Sequence, residues 1–393
     1  SNLQPESIVN SGKLNVNSGS NLNLLGGTVA STGELSGGNI TVATVPGENL
    51  LRITPKGHLL SLEIPASVTS TNPSVTSLPE LLTGSGTSVN TGDVVANKVT
   101  AQNATLSAQK NLTLVESQLQ TTGDLNLLAK DTVFVRDSVA NPFSAIAGGN
   151  LYVQGNQSID ILALNHPQTP FQSGGNLSLV SDGNVSGDAH FASGGQFKIS
   201  TLSGQPGNFV SLFDPIIFSK GDVELGNYTG ASLHILAGGS VKVGNIEITE
   251  TGTADDTINP ANPDSFIANL ANVTLSDSSS VTIDGSKSPT LDIRAGVDWD
   301  ALGGLPENEN KIIPSASPSP NPIPTPSFAD ITTDASITVD NVKINSQEDK
   351  GTIFLTNQFN PNQELEGGEI KTGLVDPGTN GSFIADSRDS VTT

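Results

Sequence analysis

Three side chains with acid–base capacity crowd into one short stretch, Ser181-Asp-Gly-Asn-Val-Ser-Gly-Asp-Ala-His190: they are Asp182, Asp188 and His190. Two carboxyls held about 5–10 Å apart can cleave a glycosidic bond, one as acid and the other as base or nucleophile. The stretch is therefore the candidate for a polysaccharide lyase or hydrolase. A pectinase-like site would add a Gly-His-Gly and a basic pair, and the sequence has neither. Asp and Gly at this density are also what tight turns demand. We read the three as turn residues, with catalysis as the competing reading.

Asp255-Asp256 is another tight acidic pair, and it sits in a polar stretch where a calcium ion is the chemistry to consider. The calcium-binding repeat Gly-Gly-x-Gly-x-Asp does not occur, and neither does the EF-hand spacing. His58, His166, His190 and His234 are scattered, with no His-Glu-x-x-His, so no zinc site is read. There is no Gly-x-Ser-x-Gly, and no Gly-rich corner precedes a helix as a phosphate loop would. The site inventory at this level is none: no catalytic, cofactor-binding or metal-ligating residue, no cofactor, and calcium only as an alternative.

The elements that would position such residues are legible in a recurring phrase, Gly-polar-apolar-polar-apolar. It appears as Gly12-Lys-Leu-Asn-Val16, Gly38-Asn-Ile-Thr-Val42, Gly123-Asp-Leu-Asn-Leu127 and Gly149-Asn-Leu-Tyr-Val153. It returns at Gly175-Asn-Leu-Ser-Leu179, Gly195-Gln-Phe-Lys-Ile199, Gly221-Asp-Val-Glu-Leu225 and Gly239-Ser-Val-Lys-Val243. Period-two alternation reads as a half-buried strand, and a strand recurring every 20–26 residues or so marks a solenoid. The phrases repeat in one chain direction, so equivalent strands stack in parallel, Leu on Leu inside and Asn on Asn at the corners. Hairpin doublets such as Asp182-Gly183 and Asp284-Gly285 are too few to run an antiparallel sandwich. At about 4.8 Å per winding, on the order of 12–15 windings make a rod roughly 60–70 Å long.

Composition agrees. Apolar residues are 35% and aromatics 4% of the 393, enough for a thin aliphatic column. There is no cysteine, hence no disulfide framework or thiolate metal site. There is no methionine, and Ser1-Asn-Leu-Gln-Pro5 lacks a signal-peptide pattern, so the chain reads as a processed piece of a longer one. No apolar run is long enough to span a bilayer. The net charge of −22, from 39 acidic and 17 basic residues, argues against nucleic acid.

The rhythm breaks in three places. Residues 64–93 hold Pro65, Pro73 and Pro79 among Ser and Thr, with one helical turn expected at Pro79-Glu-Leu-Leu82. Thr251 to Phe266 is Asp-, Asn- and Pro-rich. Pro recurs at alternate positions from Pro318 to Pro326, which excludes the segment from a ladder. Strands are expected to resume at Val273-Thr-Leu275, Val281-Thr-Ile283 and Leu291-Asp-Ile293, with a helical turn at Asp298-Trp-Asp-Ala-Leu302. The organisation is thus a β-helix over 1–250 with a loop at about 64–93, and its continuation over 251–313 with a polar loop at 251–266. A Pro-rich extended segment at 314–327 and further rungs over 328–393 complete it.

The Gly-Asn-Leu-x-Leu units resemble those of the filamentous haemagglutinin family, the large exoproteins of two-partner secretion. Thr290-Leu-Asp-Ile-Arg-Ala-Gly-Val-Asp-Trp299 looks like the variant common in cyanobacterial members. The resemblance covers about 10–250 and 270–390. It implies export through a partner outer-membrane transporter and adhesive action at the surface of a Gram-negative-type bacterium. The family's secretion motif, Asn-Pro-Asn-Gly, has only a chance near match at Asn360-Pro-Asn-Gln363, so the secretion domain is read as absent.

The reading is an all-β, right-handed parallel β-helix with loop insertions. Its expected function is that of a secreted structural or adhesive cell-surface protein, not an enzyme. Its partners would be matrix polysaccharide and other copies of itself, stacked end to end as a hypothesis. The alternatives are a polysaccharide-active enzyme and a calcium-dependent surface-layer component.

Overall fold

The computed structural model describes residues 5–45, 50–53, 62–65, 89–164, 169–213, 215–300, 302–306, 335–346, 350–357 and 368–393. The Pro79 turn, most of the 64–93 loop, the Pro-rich segment and Asn360–Gln363 lie outside the described residues.

A short strand with alternate apolar side chains can cover them only against a neighbour of the same pattern. Each winding supplies three such strands. In one, Leu125–Ala129, Thr132–Arg136 and Ser144–Ala147 follow each other round the axis. In the next, Leu151–Gly155, Ser158–Leu162 and Phe171–Ser173 pair with them in parallel, residue over residue. The sheet so formed curls about 332° round an axis, and the molecule is a parallel β-helix. We call the three stacks the first, second and third faces.

Strict register makes columns. Leu22, Ile40, Ala104, Leu125, Leu151 and Leu177 stand one above another inside the first face. The column continues through Phe197, Val223, Val241, Ile337 and Ile370. Burying one such aliphatic side chain stabilises by about 1.5–3 kcal/mol, so a thin core suffices when every rung repeats it. Where the interior widens, aromatics fill it: ring centroids lie 5.1 Å apart for Phe143 and Phe171, and 5.2 Å for Phe171 and Phe191.

The corners are sewn by side-chain amides. Asn150 donates its backbone N–H to Asp124 Oδ1 at 2.8 Å and accepts from the Asn176 N–H at 2.9 Å. A second ladder runs through Asn208, Asn227, Asn245 and Asn341. The corner glycines are sterically required: a Cβ on Gly174 would lie 2.2 Å from the Gly148 carbonyl oxygen.

The third face departs from the simple pattern. From Pro170 to Ala295 its outward positions are buried too, because the chain leaves the coil between Ile246–Ile248 and Thr290–Ala295 and packs back on the outside. Ala192, Ile216, Phe218, Leu236 and Phe354 from the face meet Ile258, Ile267, Leu270, Val273 and Ile283 from this excursion. A strap after Ala295 adds Val297, Trp299, Leu302 and Leu305 to the same outer core. The expected turn at Asp298 is present, with the Leu302 N–H donating to the Asp298 oxygen.

Two expected rungs are not rungs. Asn272–Thr274 and Ser280–Thr282 pair with each other in antiparallel fashion, as a hairpin lying outside the coil. The reason is local turn chemistry. Ser278 takes a left-handed φ of 69°, and Asp277 Oδ1 accepts from the Ser279 N–H at 2.9 Å. Val273 and Ile283 then face the outer core rather than the axis. The polar stretch beginning at Thr251 is therefore the first part of a longer, packed excursion.

Candidate functional site

Side chains at outward positions of the third face would ordinarily be polar and solvated. In this coil two of their columns run beneath the excursion. One column holds His190, Ile216, His234, Asp292 and Phe354 on successive windings. The column beside it holds Ala192, Phe218, Leu236 and Arg294. Burial leaves the polar members of these columns no water, so each must find a partner within the protein.

Asp292 and Arg294 find each other. Arg294 Nε donates to Asp292 Oδ1 and Nη2 to Oδ2, both at 2.8 Å, and Nη2 also reaches the Leu270 carbonyl of the excursion at 2.9 Å. Nη1 is buried and has no hydrogen-bond partner among the described residues, and the guanidinium lies 5.8 Å from the Phe354 ring centroid. Burial opposes ionisation of Asp292, but the Arg294 charge and the bonds from His234 and Arg294 outweigh it and hold the carboxyl below its usual range.

His234 bridges the coil to the excursion. Its Nδ1 lies 3.2 Å from Asp292 Oδ2, and its Nε2 lies 2.7 Å from Thr257 Oγ1. A carboxylate only accepts, so Nδ1 carries the proton, and in the neutral ring Nε2 then accepts from the Thr257 hydroxyl. Burial lowers the affinity of this imidazole for a second proton despite the neighbouring Asp292. His190, two windings away in the same column, is 2.7 Å from the Asp256 carbonyl oxygen and donates to it through Nε2. Burial pushes its pKa down to about 4.

Hydroxyl, imidazole and carboxylate in line form the arrangement that activates a nucleophilic hydroxyl. Here Thr257, His234 and Asp292 are all 0% exposed. Gly285 is pressed against the pair so closely that a Cβ would meet Thr257 Oγ1 at 2.2 Å and His234 Nε2 at 2.9 Å. A substrate carbonyl cannot approach Thr257 while the excursion is seated. In this state the chemistry of the cluster is to hold one segment on another.

The residues singled out from sequence are distributed as follows. Asp188 is buried and accepts from Ser211 Oγ at 2.5 Å and from the Leu212 N–H at 2.8 Å, closing the corner between the second and third faces. Asp182 is exposed and accepts from the Leu202 N–H at 2.9 Å. With His190 turned to Asp256, the three do not converge on an open cleft. Asp256 is bonded to the Thr253 hydroxyl, as a turn residue. His58 and His166 lie outside the described residues. Among the described residues no group of three or more His, Asp or Glu gathers where a metal ion could sit.

Sequence reasoning missed Thr257, Asp292 and Arg294. A signal was present. Ile216–Ser219, Leu233–Ala237 and Thr290–Ala295 are buried at every position, and the near-continuous apolar runs of the first two mark strands covered on both faces. His234 inside such a run, and Asp292 and Arg294 on the strand stacked over it, must be buried and therefore paired.

One open feature contrasts with the sealed cluster. Before the excursion begins to cover it, the third face carries a shallow groove of about 350 Å³ lined by Lys13, Glu34, Lys98 and Gln118, among others. Glu34 bridges Lys13 at 3.3 Å and Lys98 at 3.5 Å, and its bond to Lys13 holds the carboxyl below its ordinary pKa. No helix among the described residues is long and apolar enough to cross a membrane. No protein-family model, curated protein or solved structure matches this chain.

Proposed function

We propose that the chain is a structural, adhesive rod of an extracellular surface. The observation that carries this reading is the repetition of polar and aromatic outward side chains on the first two faces. Thr105, Asn126, Tyr152 and Ser178 follow in one column, Thr113, Phe134, Asp160 and Ser186 in another. Neighbours in a column are about 4.8 Å apart. Such rows offer a glycan chain many weak hydrogen-bonding and stacking contacts, which sum to useful avidity where single contacts do not. The resemblance to filamentous haemagglutinins supports the same reading and adds export through an outer-membrane partner to the proposal.

End-to-end stacking belongs to the proposal as well. Ile8, Leu14, Leu22 and Leu24 at one end, and Val375, Phe383 and Ala385 at the other, are only partly buried. A second copy in register would complete their columns and extend the sheet across the junction.

The test is twofold. Negative-stain images of the purified chain should show slender rods that join lengthwise as concentration rises. Beads coated with it should be retained on polysaccharide-coated surfaces. Rods that remain single at high concentration remove the stacking, and retention no greater than that of uncoated beads removes the adhesion.

A further inference from the structure

The two buried histidines share a geometry that the rod-like function does not use. They stand in one column of the third face, two windings apart, and their Nε2 atoms engage consecutive residues of the excursion. His190 holds the Asp256 carbonyl and His234 holds the Thr257 hydroxyl. The His234 bond depends on a neutral ring beneath a seated excursion, since a second proton removes the lone pair that Thr257 donates to. The His190 bond uses only its Nε2–H, and there it is burial of the ring that opposes a second proton. We infer that the segment 251–289 is an acid-released clasp: proton uptake by His190 and His234 frees it from the third face while the coil beneath stays wound.

The charged groups around the pair set the sign. His234 faces Asp292, whose charge is already neutralised by both nitrogens of Arg294. Asp256 spends its carboxylate on Thr253, and Asp284, beside Gly285, is paired with Lys287 at 2.7 Å. Asp188, near His190 in sequence, is held by Ser211 and Leu212. The carboxylate nearest His234 is thus already engaged by Arg294 and offsets only part of the cost of a buried imidazolium. When the excursion leaves, both rings regain water and ordinary basicity. For His190 alone the gap between 6.5 and about 4 favours the released form by up to about 300-fold as the pH falls across that interval. His234 is shifted in the same direction and adds to it.

The molecule carries its own reporter. Trp299 is the single tryptophan, and it is buried on the strap. Phe218 lies edge-on to it at 5.7 Å and edge-on at 6.0 Å to Phe266, which belongs to the excursion. Lifting Phe266 away opens that ring stack to water. Emission of the full chain is followed from pH 7 to pH 4 beside its far-ultraviolet circular dichroism, for the native chain and the double variant H190Q/H234Q. The expected result is a red shift of emission below pH 6 with the β signal intact, absent from the double variant. An unmoved emission at pH 4, the same shift in the variant, or a shift that coincides with loss of the β signal overturns the clasp. Brief pepsin digestion of the native chain at pH 4 needs no variant. Cleavage first near Phe266 and Leu270 supports release, and cleavage elsewhere first contradicts it.

Discussion

Asp292 stands directly over His234 on the next winding, with 3.2 Å between carboxylate and imidazole and neither side chain in contact with water. In a coil whose residues usually stack on their own kind, this pairing of unlike residues marks where the outer surface became interior. Arg294 completes the arrangement with two hydrogen bonds to the Asp292 carboxylate.

Removing one partner of that buried pair should be far worse than removing both. Arg294→Met leaves Asp292 and His234 with an uncompensated charge and should cost roughly 3–5 kcal/mol. A double change, Asp292→Leu with Arg294→Met, should recover much of that loss, because well-packed apolar groups replace buried ions at little net cost. Chemical denaturation of the three proteins decides it. Equal losses in the single and double variants would show that the ion pair is not the issue.

Gly285→Ala should loosen the excursion without touching the coil. Its new methyl would collide with Thr257 Oγ1 and His234 Nε2. We expect faster hydrogen exchange across 251–289 and unchanged protection at Leu151 or Leu177. Uniform loss of protection would mean that excursion and coil unfold as one.

The interior columns should dominate stability and the surface charge ladders should not. Leu151→Ala, between Leu125 and Leu177, should cost about 2–5 kcal/mol. Lys198→Ala, which breaks a part-exposed ion pair of 2.8 Å with Glu224, should cost under about 1 kcal/mol. Thermal melts of both variants rank the two effects, and a reversed order would refute the column as the main support.

Asn150→Ala should cost about 1 kcal/mol and act on both neighbouring windings. Its side chain accepts from Asn176 above and donates to Asp124 below. Asn150→Asp keeps the acceptor for the Asn176 N–H and should be milder at low pH than at neutral pH, where it sits beside the carboxylate of Asp124. A pH-independent difference between the two variants speaks against the ladder.

Acid should destabilise the fold with a defined sign. His190 binds its proton less readily folded than unfolded, so the unfolded chain takes up more protons and stability declines as pH falls from about 6.5 towards 4. At about 1.4 kcal/mol per unit the loss attributable to this residue approaches ~3 kcal/mol. Asp292 adds a further loss at still lower pH, as its depressed carboxyl is finally protonated. Denaturant midpoints at pH 7, 5.5 and 4 measure it, and a flat profile rules it out.

Much of the architecture could be read from particular residues. Gly149-Asn-Leu-Tyr-Val153 specifies a corner, two inward side chains and one outward one, and Leu151 indeed lies between Leu125 and Leu177. The corner amides were equally legible, because in-register parallel strands bring like residues together. Val273 and Val281 misled: their alternation is that of a rung, and only the left-handed Ser278 turn folds them back on each other. The outer core was half legible, written in Ile216-Ile-Phe218 but without any sign of what covers it.

Sequence alone therefore determined the coil, since period and register are short-range properties that each repeat states for itself. The third dimension decided which stretch of chain lies on the third face, and so which charges lose their water. Thr257, His234 and Asp292 are 23 and 58 residues apart, and no local pattern carries that distance. Their meeting depends on how an excursion without repeats chooses its resting place, a choice made by matching apolar surface across the whole fold.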